Sequence, residues 1–448
     1  MASVPNLRGL LADTRPLRVA AFRRLWIAQA ITVVGAQLTV VTVPAQIYGI
    51  TQSSAFVGLT GIFGLVPLVV FGLYGGALAD AFDRRRLLMI STAGLIVTSF
   101  CFFAQAFLQL NNVWLLLGLF AVQQMFFALN SPARQAILPA LLPGELLTSA
   151  NALSTTVMQA GAIAGPLIGG ALIPLLGYSW LYLVDAITLL ATAWAVIKLP
   201  SLPPTRSGRS AAQRPGIRSV IAGFAYLAGN KILLMSFAVD IIAMTFGMPR
   251  ALFPELAHEQ FGGPLAGGWV FALLYAAIPI GAVLGGVFSG WVSRVHRHGR
   301  AVVIAISVWG GGVVVFGLAC WFAGGVAWPF ALFAVVGLAI GGAADMISSS
   351  FRGTMLLQAA DDDVRGRLQG VFLVVVVGGP RIADVLHGGA AAVIGAPATA
   401  TLGGVVVIVG MVICALAVPA FVRYRPPAPG AVERDAPREP GQPVDEKS

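Results

Sequence analysis

The chain has 448 residues, of which 58% are hydrophobic and only 10% charged, and its mean hydropathy of +0.87 excludes an ordinary water-soluble domain, where about a quarter of residues carry charge. A bilayer core about 30 Å thick takes roughly 20 apolar residues per helix, so twelve spanning helices use about 240 residues and leave the rest for loops. The formal net charge of +10 comes without a basic stripe interleaved with aromatics, so no nucleic-acid partner is expected.

In chain order, apolar runs predict spanning helices over 24–48, 55–79, 87–110, 113–131, 151–174, 179–199, 232–253, 267–291, 301–323, 328–349, 367–391 and 399–422. The first run is too long for a signal peptide and is read as a retained helix. Segments on one side of this pattern collect Arg84 to Arg86, Arg134, Arg206, Arg209, Arg214, Arg218, Arg294, Arg297, Arg300, Arg352, Arg365 and Arg367, leaving Arg250 and Arg381 to the other half. By the positive-inside rule both termini are then cytoplasmic. Trp26, Trp114, Trp180, Trp269, Trp291, Trp321 and Trp328 fall near helix ends, as an interfacial aromatic belt requires.

Domain organisation follows: an N-terminal six-helix bundle over 1–199, a Pro-, Ser- and Arg-rich cytoplasmic linker over 200–217, a C-terminal six-helix bundle over 218–424, and a Pro-rich disordered tail over 425–448. The halves repeat. Gly75-Gly76 before the Arg84 cluster corresponds to Gly285-Gly286 before Arg294, and Arg134 followed by Glu145 corresponds to Arg352 followed by Asp363. Such duplication is a transporter property.

Two motifs carry chemistry. At the inner end of the second helix, Gly76, Asp80, Asp83, Arg84 and Arg85 combine a close-approach glycine with acids and bases able to latch the cytoplasmic side. In the fifth helix, Gly161, Gly165, Pro166, Gly169 and Gly170 make a flat packing face with a freed carbonyl, which fits either a pivot or a static tight crossing.

These motifs, together with Asn151-Ala152-Leu153, Leu183-Val184-Asp185-Ala186 and Tyr275-Ala276-Ala277-Ile278-Pro279, resemble the major facilitator superfamily. Val43-Pro44-Ala45-Gln46-Ile47 and Gly378-Gly379-Pro380-Arg381 narrow the resemblance to its branch of bacterial enterobactin (siderophore) exporters and related drug-efflux proteins, over about residues 20–422. The resemblance implies an all-α membrane protein of the inner membrane, not an enzyme, exporting a small-molecule solute by alternating access with protons as the coupling ion. It also implies a cytoplasmic gate latch at Asp80, Arg84 and Arg85. Asp83 departs from the family pattern, which has Gly there, and the fourth helix lacks a membrane-embedded arginine.

Ionisable residues within a bilayer cost roughly 2.5–3.5 kcal/mol each on insertion scales, so each asks for a function. Asp240, Asp345, Arg381 and Asp384 are the proton or substrate candidates, with Arg381 and Asp384 three apart and able to pair. Asp185 is read as structural. Gln29, Gln37, Gln123, Gln124 and Met125 offer a polar, uncharged cavity lining, with helix–helix hydrogen bonding the other reading. The three cysteines lie singly in apolar runs and His296 and His298 in a basic loop, so no metal site and no cofactor are expected. No phosphate-binding loop is present, so ATP does not drive transport directly. A monomeric exporter of a siderophore-like or drug-like solute is the first reading and a broad multidrug efflux pump the second. A membrane sensor or a lipid-acting enzyme is remote, because neither a soluble domain nor a catalytic constellation is visible.

Overall fold

A computed structural model describes residues 13–81, 83–200, 225–227, 229–359 and 362–425, with side chains described for these except over 73–81, at 136, over 357–359 and over 362–374. The described residues form helices and no strand. Long helices are α1 (Ala20–Thr51), α2 (Ser54–Ala81), α3 (Arg84–Phe107) and α4 (Val113–Leu141). A continuous stretch, Gly144–Ile197, is broken at Gly177, whose φ of +76° is open to glycine at little cost, into α5 (144–176) and α6 (178–197). Then come α7 (Lys231–Phe246), α8 (Trp269–Val287), α9 (His298–Ala323), α10 (Phe330–Ala359), α11 (Asp362–Ile394) and α12 (Ala396–Ala417). Short 3-10, α and π turns prolong α7 to Gln260.

Polar residues set the helix starts. Asn112 accepts from the backbone N–H groups of Trp114 and Leu115 at the start of α4, and Asn230 does the same for Ile232 and Leu233 at the start of α7. Among the described residues ten helical stretches are long and apolar enough to cross a membrane, one of them the stretch divided at Gly177. Their outer surface is apolar: Leu175, Val287, Phe288, Phe322, Val393 and Leu416 are all exposed. An exterior of this kind needs hydrocarbon, not water, around it.

Successive helices run back and forth between a near face, where α1 begins, and a far face carrying the loops at 52–53, 177, 261–268 and 395. Packing repeats six helices on: α1 lies on α5 and α7 on α11, α2 on α4 and α8 on α10, α3 on α4 and α9 on α10, α3 on α6 and α9 on α12. Between the first six helices and the last six, the main contacts are α2 with α11 and α5 with α8.

Two expectations are corrected here. The fourth helix does not stop at 131: α4 continues through Pro132 and Pro139 to Leu141, because neighbouring helices re-satisfy the carbonyls that an internal proline frees. Arg134 therefore sits within a helix, and so does Arg352, in α10, where it is buried. Neither is a loop charge. Of the expected linker and tail, residues 201–217 and 426–448 lie outside the described residues.

Candidate functional site

The fifth-helix glycines build a contact plane before they build anything else. A Cβ at Gly161 would meet Val33, one at Gly165 would meet Gln37, and one at Gly169 would meet Leu38 and Val41, all on α1. Three small residues four apart thus bring α5 flat against α1, a tight crossing within the first six helices. Gly170 looks the other way, onto the backbone of Ala272 in α8. Its carbonyl accepts a hydrogen bond of 2.8 Å from the Gly268 N–H. That carbonyl is free because the residue four further on is Pro174, which has no N–H to return. Sequence reasoning looked to Pro166 for this role; the proline whose freed carbonyl crosses to the other helices is Pro174.

A second crossing lies between α2 and α11. Gly58, Gly61 and Gly64 face α11 so closely that a Cβ on Gly61 would overlap the Arg381 carbonyl and one on Gly58 the Asp384 carbonyl. The Gly-x-x-Gly-x-x-Gly spacing at 58–64 was the signal for this seam, and it went unread. Above the seam the Arg381 guanidinium lies over the Phe120 ring, 5.3 Å from its centroid, and donates to Gln124 Oε1 at 3.4 Å, both on α4. A cation over a ring face in a low-dielectric setting is held by the ring quadrupole. The expected pairing of Arg381 with Asp384 is not what the side chains adopt: among the described residues no ion pair joins them. Both share a face of α11, but the guanidinium turns outward to α4 and leaves the buried Asp384 carboxyl behind it.

A third tie joins α1 to the prolonged end of α7, where Tyr48 donates to Glu259 Oε1 at 2.9 Å. Among the described residues, hydrogen bonds between the first six helices and the last six include these three, Gly268 to Gly170, Arg381 to Gln124 and Tyr48 to Glu259, and all three lie in the far half of the molecule. Toward the near face, Gly72 on α2 has open space where a side chain would be.

Charge gathers once more, between α7 and α10. Arg352 is 5% exposed and forms an ion pair with Asp240, itself 1% exposed, while its Nη2 lies 3.6 Å from Asp345 Oδ1. Two of the proton candidates are therefore held by one buried arginine. Sequence reasoning had placed that arginine in a loop.

The near-face motif is described in part. Asp83 caps α3 by accepting from the Arg85 N–H at 2.8 Å, which accounts for an acid where the family pattern has Gly. Arg85 donates to the Ile197 carbonyl at 2.7 Å and so closes the last turn of α6, within the same six helices. Arg84 also has an interaction partner. Gly76 and Asp80 belong to the last turns of α2, with side chains outside the described residues.

Gln124 is the cavity candidate brought to a predicted charged residue, Arg381. Gln37 packs on Gly165, and Gln29, Gln123 and Met125 are half-buried without a hydrogen bond among the described residues. Asp185 is structural in geometry: buried, it accepts from Thr39 on α1 and Ser99 on α3, each at 2.8 Å. Gln46, Gln105 and Tyr182 form a similar buried knot between the same helices. Among the described residues no cluster of His, Cys, Asp or Glu could hold a metal ion.

An all-helical bundle with apolar walls, packing that repeats six helices on and buried charges at its inner seams is the architecture of a polytopic membrane protein. The chain belongs to the transmembrane secretion effector family of major facilitator transporters, whose family model matches residues 12–425. It is 30% identical over 413 residues to the enterobactin exporter EntS of Citrobacter koseri, covering 91% of this chain and 94% of that protein. It is 29% identical over 420 residues to the enterobactin exporter EntS of Shigella boydii serotype 4, covering 93% and 96%. Solved structures of the same fold include a POT family transporter (TM-score 0.70, 12% identity, 90% of this chain and 96% of that one). A D-xylose-proton symporter matches with TM-score 0.68 and 11% identity over 88% and 97%. A bacterial homologue of the iron transporter ferroportin, in an inward-facing state, matches with TM-score 0.63 and 15% identity over 90% and 99%. The protein is thus a multi-pass inner-membrane transporter of a small-molecule solute.

Proposed function

We propose that this transporter exports a siderophore-like organic solute by proton-coupled antiport, alternating access between two six-helix bundles, 1–199 and 218–424, of a twelve-span monomer whose termini are cytoplasmic. The observation that carries this reading is Arg381. It sits on the seam between the bundles and reaches across it to Phe120 and Gln124, which line α4 together with Gln123 and Met125. Alternating access must break and remake that contact, so a solute bound there is coupled to the motion. A guanidinium over an aromatic face, beside amides, suits an aromatic, oxygen-rich and weakly acidic solute. Two relatives are named as exporters of enterobactin.

In this reading the far face, tied by these contacts, is the closed side and solute enters from the cytoplasm. Asp384, buried on the same seam, changes its surroundings when the seam opens and is the favoured proton carrier. Asp240 and Asp345 are committed to Arg352. The latch at Asp80, Arg84 and Arg85 then closes the near face in the opposite state.

Everted proteoliposomes test the reading. A catecholate siderophore should accumulate inside when an inward-acid proton gradient is imposed, without ATP, and collapse of the gradient by an uncoupler should stop it. Accumulation that ignores the uncoupler sinks the antiport mechanism. Accumulation of cationic drugs but not of the catecholate would make the protein a multidrug pump instead.

A further inference from the structure

Away from the seam, a crevice of about 330 Å³ opens outward between α9 and α10 near the near face. Small residues make it. Ala301 and Ala305, one turn apart on α9, and Ala344 on α10 leave a gap that their own Cβ atoms do not fill. Ile304, Ile347 and Phe351 wall it, and the flanking Ile304 and Val308 are exposed, 52% and 42%, on the surface that meets hydrocarbon. A solute arriving through water has no route to such a place, whereas a lipid chain lies beside it.

The mouth of the crevice is of opposite character. Arg297 and Arg300 line it, both exposed, with Trp291 beside them. Arg297 is the N-cap residue of α9 and makes no side-chain cap, so the positive end of this 26-residue helix's dipole lies at the same end as the mouth. From Phe288 to Ile304 the sequence holds Arg294, Arg297 and Arg300 and no acidic residue. An exposed tryptophan marks the depth of lipid headgroups. Two arginines and a bare helix start offer a phosphate both charge and donors.

We propose that this crevice is a binding site for an anionic phospholipid, with an acyl chain between α9 and α10 and the headgroup phosphate on Arg297 and Arg300. The lipid would do more than coat the protein. Its chain touches Phe351, and the next residue is Arg352, the buried partner of Asp240 and Asp345. Occupancy therefore braces α10 beside the ion triad.

The test uses the full chain, delipidated in detergent, with dioleoyl phosphatidylglycerol as the probe and dioleoyl phosphatidylcholine as the neutral control, bound lipid being counted by native mass spectrometry. The wild type should retain one phosphatidylglycerol in preference to phosphatidylcholine. Arg297→Gln with Arg300→Gln should weaken retention about 30-fold, two surface cations each contributing about 5-fold. Ala305→Phe fills the crevice and leaves both arginines, and it should abolish retention as well. Soluble glycerol phosphate should not displace the lipid, because it lacks the chain. The arginine pair is exposed, so its double variant keeps the wild-type melting temperature in phosphatidylcholine and serves even if Ala305→Phe does not fold. Retention unchanged in the arginine variant overturns the site. Loss in the arginine variant but not in Ala305→Phe, or displacement by glycerol phosphate, reduces it to a surface anion contact and overturns the crevice.

Discussion

Replacing Arg352 by Gln should be among the most damaging single changes outside the solute path. The side chain is 5% exposed and faces Asp240, which is 1% exposed, so the substitution leaves a carboxylate in a dry place without its counter-charge. Breaking a buried pair from one side costs about 3–5 kcal/mol, a large part of the roughly 5–15 kcal/mol that holds a typical protein folded. For a cooperative unit the size of one six-helix bundle this is a fall in melting temperature of roughly 6–20 °C. Asp345→Asn should cost under about 1 kcal/mol, since that side chain is 29% exposed and 3.6 Å from Arg352. Arg352→Gln combined with Asp240→Asn should recover most of the loss, because no lone charge is then left behind. Thermal unfolding of the purified variants in one detergent, followed by intrinsic fluorescence, gives all three values. An Arg352→Gln shift no larger than that of Asp345→Asn, or a double variant no better than the single, would refute the reasoning.

Pro174→Ala should return an amide to the Gly170 carbonyl, which Gly268 now uses, and lower the population of the far-closed state about 2- to 13-fold, the worth of one net hydrogen bond of about 0.5–1.5 kcal/mol; spin-label distances across the far face read this, and an unchanged distribution counts against it. Arg381→Gln gives up the contact with Phe120, so the same measurement should show a roughly 2- to 30-fold shift toward far-open forms, whereas a shift absent while transport falls would assign Arg381 to the solute alone. Asp185→Ala strands the hydroxyls of Thr39 and Ser99 and should destabilise by about 1–3 kcal/mol without changing solute selectivity; altered selectivity in transport assays would contradict a structural role. Hydrogen bonds from Arg15 and Ser149 hold the Asp13 carboxyl well below the usual carboxylate range. Its tie to the start of α5 is then at full strength above about pH 4, where an unfolded Asp is ionised, and is lost as pH falls through the lower folded value. Protease nicking of the N-terminal segment in Asp13→Asn should accordingly match that of the wild type in strong acid and exceed it at neutral pH.

Much of the site was legible because its chemistry is local. An apolar run long enough to span a bilayer is recognised residue by residue, and a charge inside it stands out at once, which is how Asp240, Asp345, Arg381 and Asp384 were found. The motif glycines were legible too, since a small residue every fourth position permits close helix approach whatever the partner. Where each charge turns was another matter. Arg381 and Asp384 share a helical face, so spacing allowed a pair, but Phe120 and Gln124 are some 260 positions away in the chain, and spacing carries no information about them.

By itself, then, the sequence determined the solvent of this protein, its helical character and its duplicated plan, because hydrophobic partition and backbone satisfaction in lipid are set by composition and run length. Tertiary structure decided the partners. Arg134 and Arg352 occupy corresponding places in the repeat, but only Arg352 meets carboxylates among the described residues, since α7 brings Asp240 beside it and no described acid stands in that position for Arg134. Likewise Pro166 and Pro174 both free a carbonyl of α5, and it is the packing of α8 that puts the Gly268 N–H against the one freed by Pro174. Ion pairs and hydrogen bonds act over a few ångströms, so they follow the arrangement of helices in space and not the order of residues along the chain.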